Sequence, residues 1–506
     1  MDARLSGPSA MERAPPPSSS QRTSAIARGL KLLLDHHGCP TAVQDDIERQ
    51  LHSYLDSCDE GIWLKRMKYV LTYPMSLYLR NELPPAPDVV IHFTGAAWGW
   101  MHPRLKIFSR RNTHLWYSWL QAKRSALAAS DDLIHQAYEK HREMLTSADR
   151  GVQSTIDAIF DDPTFRKVIE DVRDAITKTY RDNFTELFPS RNACYEFARS
   201  DGGQAEFLQR LVGDEHIGLG LDRIVRTAQR QDRLHYGELY RMRFIGRIRA
   251  GVYRLETFEE RYNPCPEWNE KLRTALLLCD FDRLAPAMIQ AVLEPMKIRI
   301  ISKGPALEYY SVKPVQRAMH DVMRKMNCFR AIGRPLSATD VEEIAAKATT
   351  EDVWFSIDYS AATDGLSWKY SGRIMREILK DLPFDVYRRC EQVLGPHTLE
   401  YPKNQVRSGV MQSGQLMGSI LSFPILCLAN LGVYLYTTRY HQAFWSDEER
   451  LNSVLINGDD MVYAAPKELW NEHILHGRDV GLEMSVGKAY HHHTYVNINS
   501  TSYHLD

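Results

Sequence analysis

The run Val454-Leu-Ile-Asn-Gly-Asp-Asp-Met-Val-Tyr463 constrains this chain more than any other. Apolar residues flank Asn457-Gly458-Asp459-Asp460 on both sides. An apolar strand, a tight glycine-containing turn and a second apolar strand make a β-hairpin. The turn pushes two adjacent carboxylates out of the sheet. By itself a Gly-Asp-Asp triplet is equally an ordinary acidic turn.

A second acidic position changes that balance. Val353 to Ile357 (VWFSI) reads as a buried strand ending at Asp358, and Asp364 opens a helical pattern six residues later. A carboxylate at a strand end reaches into a cleft while its backbone stays in the sheet. If the two strands are neighbours, Asp358 and Asp459 converge, with Asp460 beside them. Hard cations such as Mg²⁺ take oxygen ligands and keep several waters. Two carboxylates from different strands could hold two such ions, Mg²⁺ or Mn²⁺, roughly 3.5–4 Å apart. Such ions activate an attacking hydroxyl and neutralise a transferring phosphoryl group.

Other runs fit around this pair. Ser408 to Asn430 begins with Gly409, Gly414 and Gly418 and continues as an apolar helix. Its serines, Ser413, Ser419 and Ser422, could offer hydroxyls to a ribose or a template backbone, or simply cap the helix. Lys297, Arg299 and Lys303 alternate along KIRIISK, so one strand face could hold a triphosphate or guard an exposed edge. Lys488, between Gly487 and Ala489, could protonate leaving pyrophosphate, although a surface lysine is the commoner case. His491-His492-His493 lacks metal-ligand spacing.

Composition sets the frame. The 506 residues carry 63 Lys plus Arg against 64 Asp plus Glu, which excludes a bulk polybasic binder but not a local basic groove. An apolar share of 44 % suits a globular protein with a sizeable core. The 8 cysteines are widely spaced, so a zinc site, a disulfide framework and an oxidising compartment are not expected. No secretory signal is visible. The apolar run Ile420–Tyr436 falls short of the roughly 20 residues of a spanning helix and reads as buried; membrane association is not indicated.

Along the chain, residues 1–24 (Ser-, Pro- and Arg-rich) read as a disordered tail. Residues 25–290 read as mostly helical, with helices over Ile26–Leu34, over Asp131–Leu145 capped by Asp131, and over 271–293 interrupted near Pro286. Within them, Arg241, Arg243, Arg247 and Arg249 alternate with Tyr240, Phe244 and Tyr253. That pattern suits an RNA channel, or a solvated helix face.

Taken in order, KIRIISKG, DYSAATD, SGQLMGSILSF, INGDD and GLEMSVGKAY resemble motifs F, A, B, C and D of viral RNA-dependent RNA polymerases. LWYSWLQAKR at 115–124, KIRIISKGPALEYYSVKPVQ at 297–316 and GLEMSVGKAYHHHTYVNINST at 481–501 are similar to the ourmia-like group (Botourmiaviridae) of positive-strand RNA viruses. The resemblance implies an α+β right-hand fold with an antiparallel palm sheet backed by helices. Residues 25–290 would be an N-terminal extension and fingers, 291–350 fingers with motif F, and 351–506 the palm with motifs A to D, with 365–405 partly fingers. It implies that Asp358 and Asp459 bind two Mg²⁺ ions, assisted by Asp460, that Lys297, Arg299 and Lys303 grip the nucleotide, and that Lys488 is the general acid. Asp364 would sense the ribose 2′-hydroxyl, and Gly414 and Gly418 would lie along RNA. The implied partners are template RNA, nascent RNA and nucleoside triphosphates, in the host cytoplasm.

Two departures stand out. The Asn that many such polymerases pair with the ribose-sensing Asp has only Asn430 as a candidate, late in its helix, leaving Ser419 or Ser422 as alternatives. The chain also stops 46 residues past Asp460. A thumb is therefore expected to be short, missing or supplied by a second chain, and the chain alone weakly active. A reverse transcriptase is the competing enzyme; it usually has an aromatic residue where Asn457 stands. A non-catalytic RNA-binding scaffold is the competing non-enzyme.

Overall fold

The computed structural model describes residues 16–81, 83–181, 189–212, 283–485 and 487–505. Two units divide the chain. One comprises Met1–Ala137, Ala291–Arg299 and Val486–His492; the other comprises Tyr138–Gln290, Ile300–Ser485 and His493–Asp506.

The described part of the first unit is built mainly from α1 (Ser19–His36), α2 (Thr41–Leu55), α3 (Glu60–Tyr78), α4 (Gly95–Lys106) and α5 (Arg110–Gln121). Ser18 and Gln21 form a capping box that opens α1, which satisfies donors the first turn would otherwise orphan. Arg22 is buried and pairs with Glu60 at 2.7 Å. Residues 19–24 are therefore helical and packed, not part of the expected tail; residues 1–15 lie outside the described residues. Ile26, Leu30 and Leu34 bury one stripe of α1. The buried Trp119 indole donates to Val70 O at 2.9 Å, so burying its ring leaves no polar atom unmet.

α6 (Asp131–Thr146) forms where its periodicity predicts. Its cap, however, is Ser130, whose hydroxyl accepts from Leu133 N at 3.3 Å. Asp131 lies inside the first turn, where a negative charge suits the helix dipole.

The second unit continues with α7 (Gln153–Asp161), α8 (Pro163–Arg181) and α9 (Gly203–Val212). Next come β1 (Ala285–Glu294), which begins in the second unit, and β2 (Lys297–Lys303), which ends in it; Ala291–Arg299 belong to the first unit. β1 corrects the helix expected over 271–293, of which 271–282 lie outside the described residues. Ala285, Ala287 and Ile289 are buried and alternate with more exposed neighbours, a period of two. Pro286 sits near the strand start, where a missing N–H is tolerated.

The remaining helices are α10 (Ala306–Ser311), α11 (Lys313–Met323), α12 (Ala338–Ala345), α13 (Ala362–Gly365), α14 (Trp368–Leu379), α15 (Phe384–Leu394), α16 (Ser422–Thr438), α17 (Asp447–Leu451) and α18 (Leu469–Asp479). The remaining strands are β3 (Asp352–Ile357), β4 (His397–Glu400), β5 (Gly409–Val410), β6 (Val454–Asn457), β7 (Asp460–Pro466), β8 (Tyr490–His492, in the first unit), β9 (Tyr495–Ile498) and β10 (Thr501–His504). β1 pairs in parallel with β4, and β4 antiparallel with β5.

The sheet that positions the site has β7 between β6 and β3, both pairings antiparallel. Every residue of β3 is buried, because both faces are covered. Trp354, Leu455 and Val462 pack with Val341 and Ile344 of α12 and with Val496 and Ile498 of β9. Phe355 and Tyr463 meet Trp470 of α18 and Tyr434 of α16. Each such large side chain contributes roughly 1.5–3 kcal/mol on burial. The class is α+β, as expected. The expected buried helix is α16, and no helix among the described residues is long and apolar enough to cross a membrane. All described cysteines are free.

Candidate active site

Three strands end together. The last β3–β7 pair is Ile357↔Met461, and the last β6–β7 pair is Asn457↔Asp460. Asp358, the residue after β3, therefore emerges beside Asp460, about one strand spacing (~4.8 Å) away. Gly458 and Asp459 form the two-residue turn. Gly458 takes φ 70° and Asp459 keeps a negative φ, the pattern of a type II′ turn, which requires glycine first. Three carboxylates leave one end of the sheet. Asp459 is exposed, and Asp358 and Asp460 are half-buried. Among the described residues no group of three or more His, Cys, Asp or Glu side chains is drawn together as a ready metal cage.

The segments bearing these acids are held from behind. Asp358 O accepts from Ser485 N, and Glu483 O from Ser360 N, both at 2.8 Å. Tyr359, buried, donates its hydroxyl to Asn430 Oδ1 at 3.0 Å. Asn430 Nδ2 donates to Gly458 O at 3.1 Å, and Gly458 N donates to Cys427 Sγ at 3.2 Å. Burial, with the Asp459 carboxylate adding to it, pushes the Cys427 thiol up to about 12. The same two causes raise Tyr359. On the other side Asp460 Oδ2 accepts from Asn499 N at 3.2 Å, and Asn499 Oδ1 accepts from Asn457 Nδ2 at 2.8 Å. Asn499 and Ser500 both take positive φ, a type I′ turn joining β9 to β10.

The other expected site residues separate. Asp364 is half-buried in α13, its Oδ1 accepting from Thr363 Oγ1 at 3.2 Å. Ser419 and Ser422 were expected at a nucleotide, yet both are core residues. Their hydroxyls donate to Val393 O and to Gln415 Oε1, each at 2.9 Å. Asn430 is fully buried with both ends of its amide engaged, so it braces the turn instead of facing a ribose. Buried polar groups are satisfied inside the fold, and here that need takes all three side chains. Gly414 and Gly418 are close-approach points: a Cβ on Gly414 would lie 2.4 Å from Asp364 O. Lys303 is half-buried at the end of β2 in the second unit. Lys297, Arg299 and Lys488 belong to the first unit. There Arg299 pairs with Glu294 at 2.9 Å, and Lys297 and Lys488 are exposed. Arg241, Arg243, Arg247 and Arg249 lie outside the described residues.

Three residues escaped the sequence reading: Tyr359, Cys427 and Asn499. Only Tyr359, adjoining Asp358, had a local cue.

An antiparallel sheet with paired carboxylates at one end, backed by helices, is the setting that the motif order leads one to expect of viral RNA-dependent RNA polymerases. The chain is 27 % identical over 437 residues to the RNA-dependent RNA polymerase of Ourmia melon virus (isolate Melon/Iran/VE9), covering 80 % of this chain and 46 % of that protein. The expected likeness to the ourmia-like group is thus borne out, with the chain spanning just under half the length of that relative. No protein-family model matches. Among solved structures, the RNA-dependent RNA polymerase of a human picorbirnavirus aligns at 15 % identity and TM-score 0.35, over 44 % of this chain and 43 % of that one. Its insertion-loop deletion mutant aligns at 16 % and 0.36, over 44 % and 45 %.

Proposed function

We propose that this chain is a viral RNA-directed RNA polymerase whose β3–β6–β7 sheet is the palm, with β2 in the fingers. One observation carries the reading: Asp358 and the Gly458–Asp460 turn emerge from the same sheet end. The donor set fits Mg²⁺, since it consists of carboxylate oxygens from two strands, reachable by water and phosphate. Asp358 and Asp459 would hold the ions, with Asp460 alongside. When bound, the ions supply an activated 3′-hydroxyl and charge neutralisation at the transferring phosphoryl group. Lys303 would bind triphosphate oxygens, joined by Lys297 and Arg299. Asp364 would accept from a ribose 2′-hydroxyl, favouring ribonucleotides over deoxyribonucleotides. Lys488 would give a proton to departing pyrophosphate.

The test is ribonucleotide incorporation on a primed RNA template with Mg²⁺. Wild-type extension that falls to background in Asp459→Ala supports the reading. Equal extension by both proteins sinks it, and preference for deoxyribonucleotides would turn it toward a reverse transcriptase.

A further inference from the structure

Behind the acidic turn runs a chain of buried hydrogen bonds whose direction chemistry fixes. His473 of α18 is fully buried, and burial holds its imidazole neutral by lowering its pKa to about 3. A neutral imidazole has one N–H and one acceptor nitrogen. His473 Nε2 lies 2.7 Å from the Tyr359 hydroxyl, and Nδ1 lies 2.9 Å from the Tyr463 hydroxyl. Tyr359 has a single hydroxyl proton, and it goes to Asn430 Oδ1. Tyr359 must therefore accept from His473, which puts the imidazole proton on Nε2. Nδ1 then accepts from Tyr463. Asn430 completes the series by donating to Gly458 O, the carbonyl that directly precedes Asp459.

Each link is dry: Tyr463, His473 and Asn430 are 0 % exposed and Tyr359 is 3 % exposed. Tyr359 also follows Asp358 in the chain, so one series of bonds grips both acid-bearing segments. Satisfied polar networks in low dielectric rigidify what they touch.

We propose that Tyr463, His473, Tyr359 and Asn430 are positioning residues that set the Gly458–Asp459 turn against Asp358 and thereby fix the affinity of the acidic pair for divalent cations. The inference rests on the metal-binding reading above. Partners behind metal-ligating carboxylates typically carry 10–100-fold in affinity.

The probe is Mn²⁺ alone, followed by the electron paramagnetic resonance signal of free ion, with urea unfolding run on the same proteins. Asp459→Asn is expected to lose binding. Asn430→Leu and Tyr359→Phe are expected to weaken it about ten-fold. Tyr463→Phe, four hydrogen bonds from the turn where Tyr359 is two, is expected to weaken it less. Tyr359→Phe keeps the ring's shape and decides the matter if Asn430→Leu does not fold. Wild-type Mn²⁺ affinity in Tyr359→Phe, with only stability lowered, overturns the positioning role alone. Equal binding by wild type and Asp459→Asn overturns the metal site, and the positioning role with it.

Discussion

Gly418 and Ser302 meet so closely that no side chain fits between them. Gly418 N donates to Ser302 Oγ at 3.0 Å, and a Cβ on Gly418 would stand 1.8 Å from Ser302 O. β2 and the turn ahead of α16 are joined at this point. Gly418→Ala must part them, at about 1–3 kcal/mol of overpacking beyond the lost bond. Ser302→Ala removes one hydrogen bond, about 1 kcal/mol. Urea unfolding should rank Gly418→Ala as the less stable; the reverse order would contradict the contact.

Charge pairs should differ sharply by burial. Arg450 and Asp162 are 7 % and 5 % exposed and bond twice, at 2.8 and 3.1 Å, while Arg450 also reaches Leu435 O. Asp162→Ala strands a buried guanidinium and should cost about 3–5 kcal/mol. Lys31 bonds Asp45 at 2.8 Å on the surface, and Lys31→Ala should cost under about 1 kcal/mol. Paired denaturation curves measure both.

Two buried histidines make stability depend on mild acid. Burial lowers His141 and His397 to about 4. In the unfolded chain they protonate near the ordinary 6.5. Between those values the unfolded state binds more protons, so this stability is present above pH 6.5 and lost as pH falls toward 4. Each contributes a slope of about 1.4 kcal/mol per pH unit inside that window. His141→Phe and His397→Phe should each flatten the unfolding free energy between pH 6 and 4.5; an unchanged slope would refute the assignment.

Ala361 takes φ 50° and ψ 48°, left-handed for a residue with a Cβ, between Asp358 and Asp364. Its strain is about 1–2 kcal/mol. Ala361→Gly relieves that but gains unfolded-state entropy of about 0.4–1 kcal/mol. The net change in melting should be small. Ala361→Val, β-branched, should destabilise clearly and reduce ribonucleotide incorporation. Equal melting of the two variants would show that the turn relaxes freely.

What could be read ahead of the structure was local. Val454–Tyr463 announced its hairpin because turn chemistry and apolar flanks reside in adjacent residues, and Asp358 announced itself at the end of a strand-like run. β1 was misread because its apolar stretch suits either helix or strand, and pairing with His397–Glu400 decides. Ser419 and Ser422 read as hydroxyls for a ribose or template backbone, or as helix caps, yet their partners Val393 and Gln415 come from the surrounding fold. The acids were legible because chemistry dictates their type. Their supports, His473, Cys427 and Asn499, were not, because any of several polar residues can supply such a contact and only tertiary structure says which does.

The contact of Asn499 with Asp460 also carries a schedule. Nearby, Ser356 of β3 accepts from Asn497 N across 141 positions of chain. At ribosomal speeds of about 5–20 residues per second, the first of these residues waits roughly 7–28 s for the second to be made. Until then the β3 edge and the Asp460 carboxylate lack those partners. A nascent chain halted between Asp460 and Asn497 would hold all three acids, yet its acidic turn would still lack its β9–β10 support. Completing the site thus waits on a hairpin made well after the acids it supports.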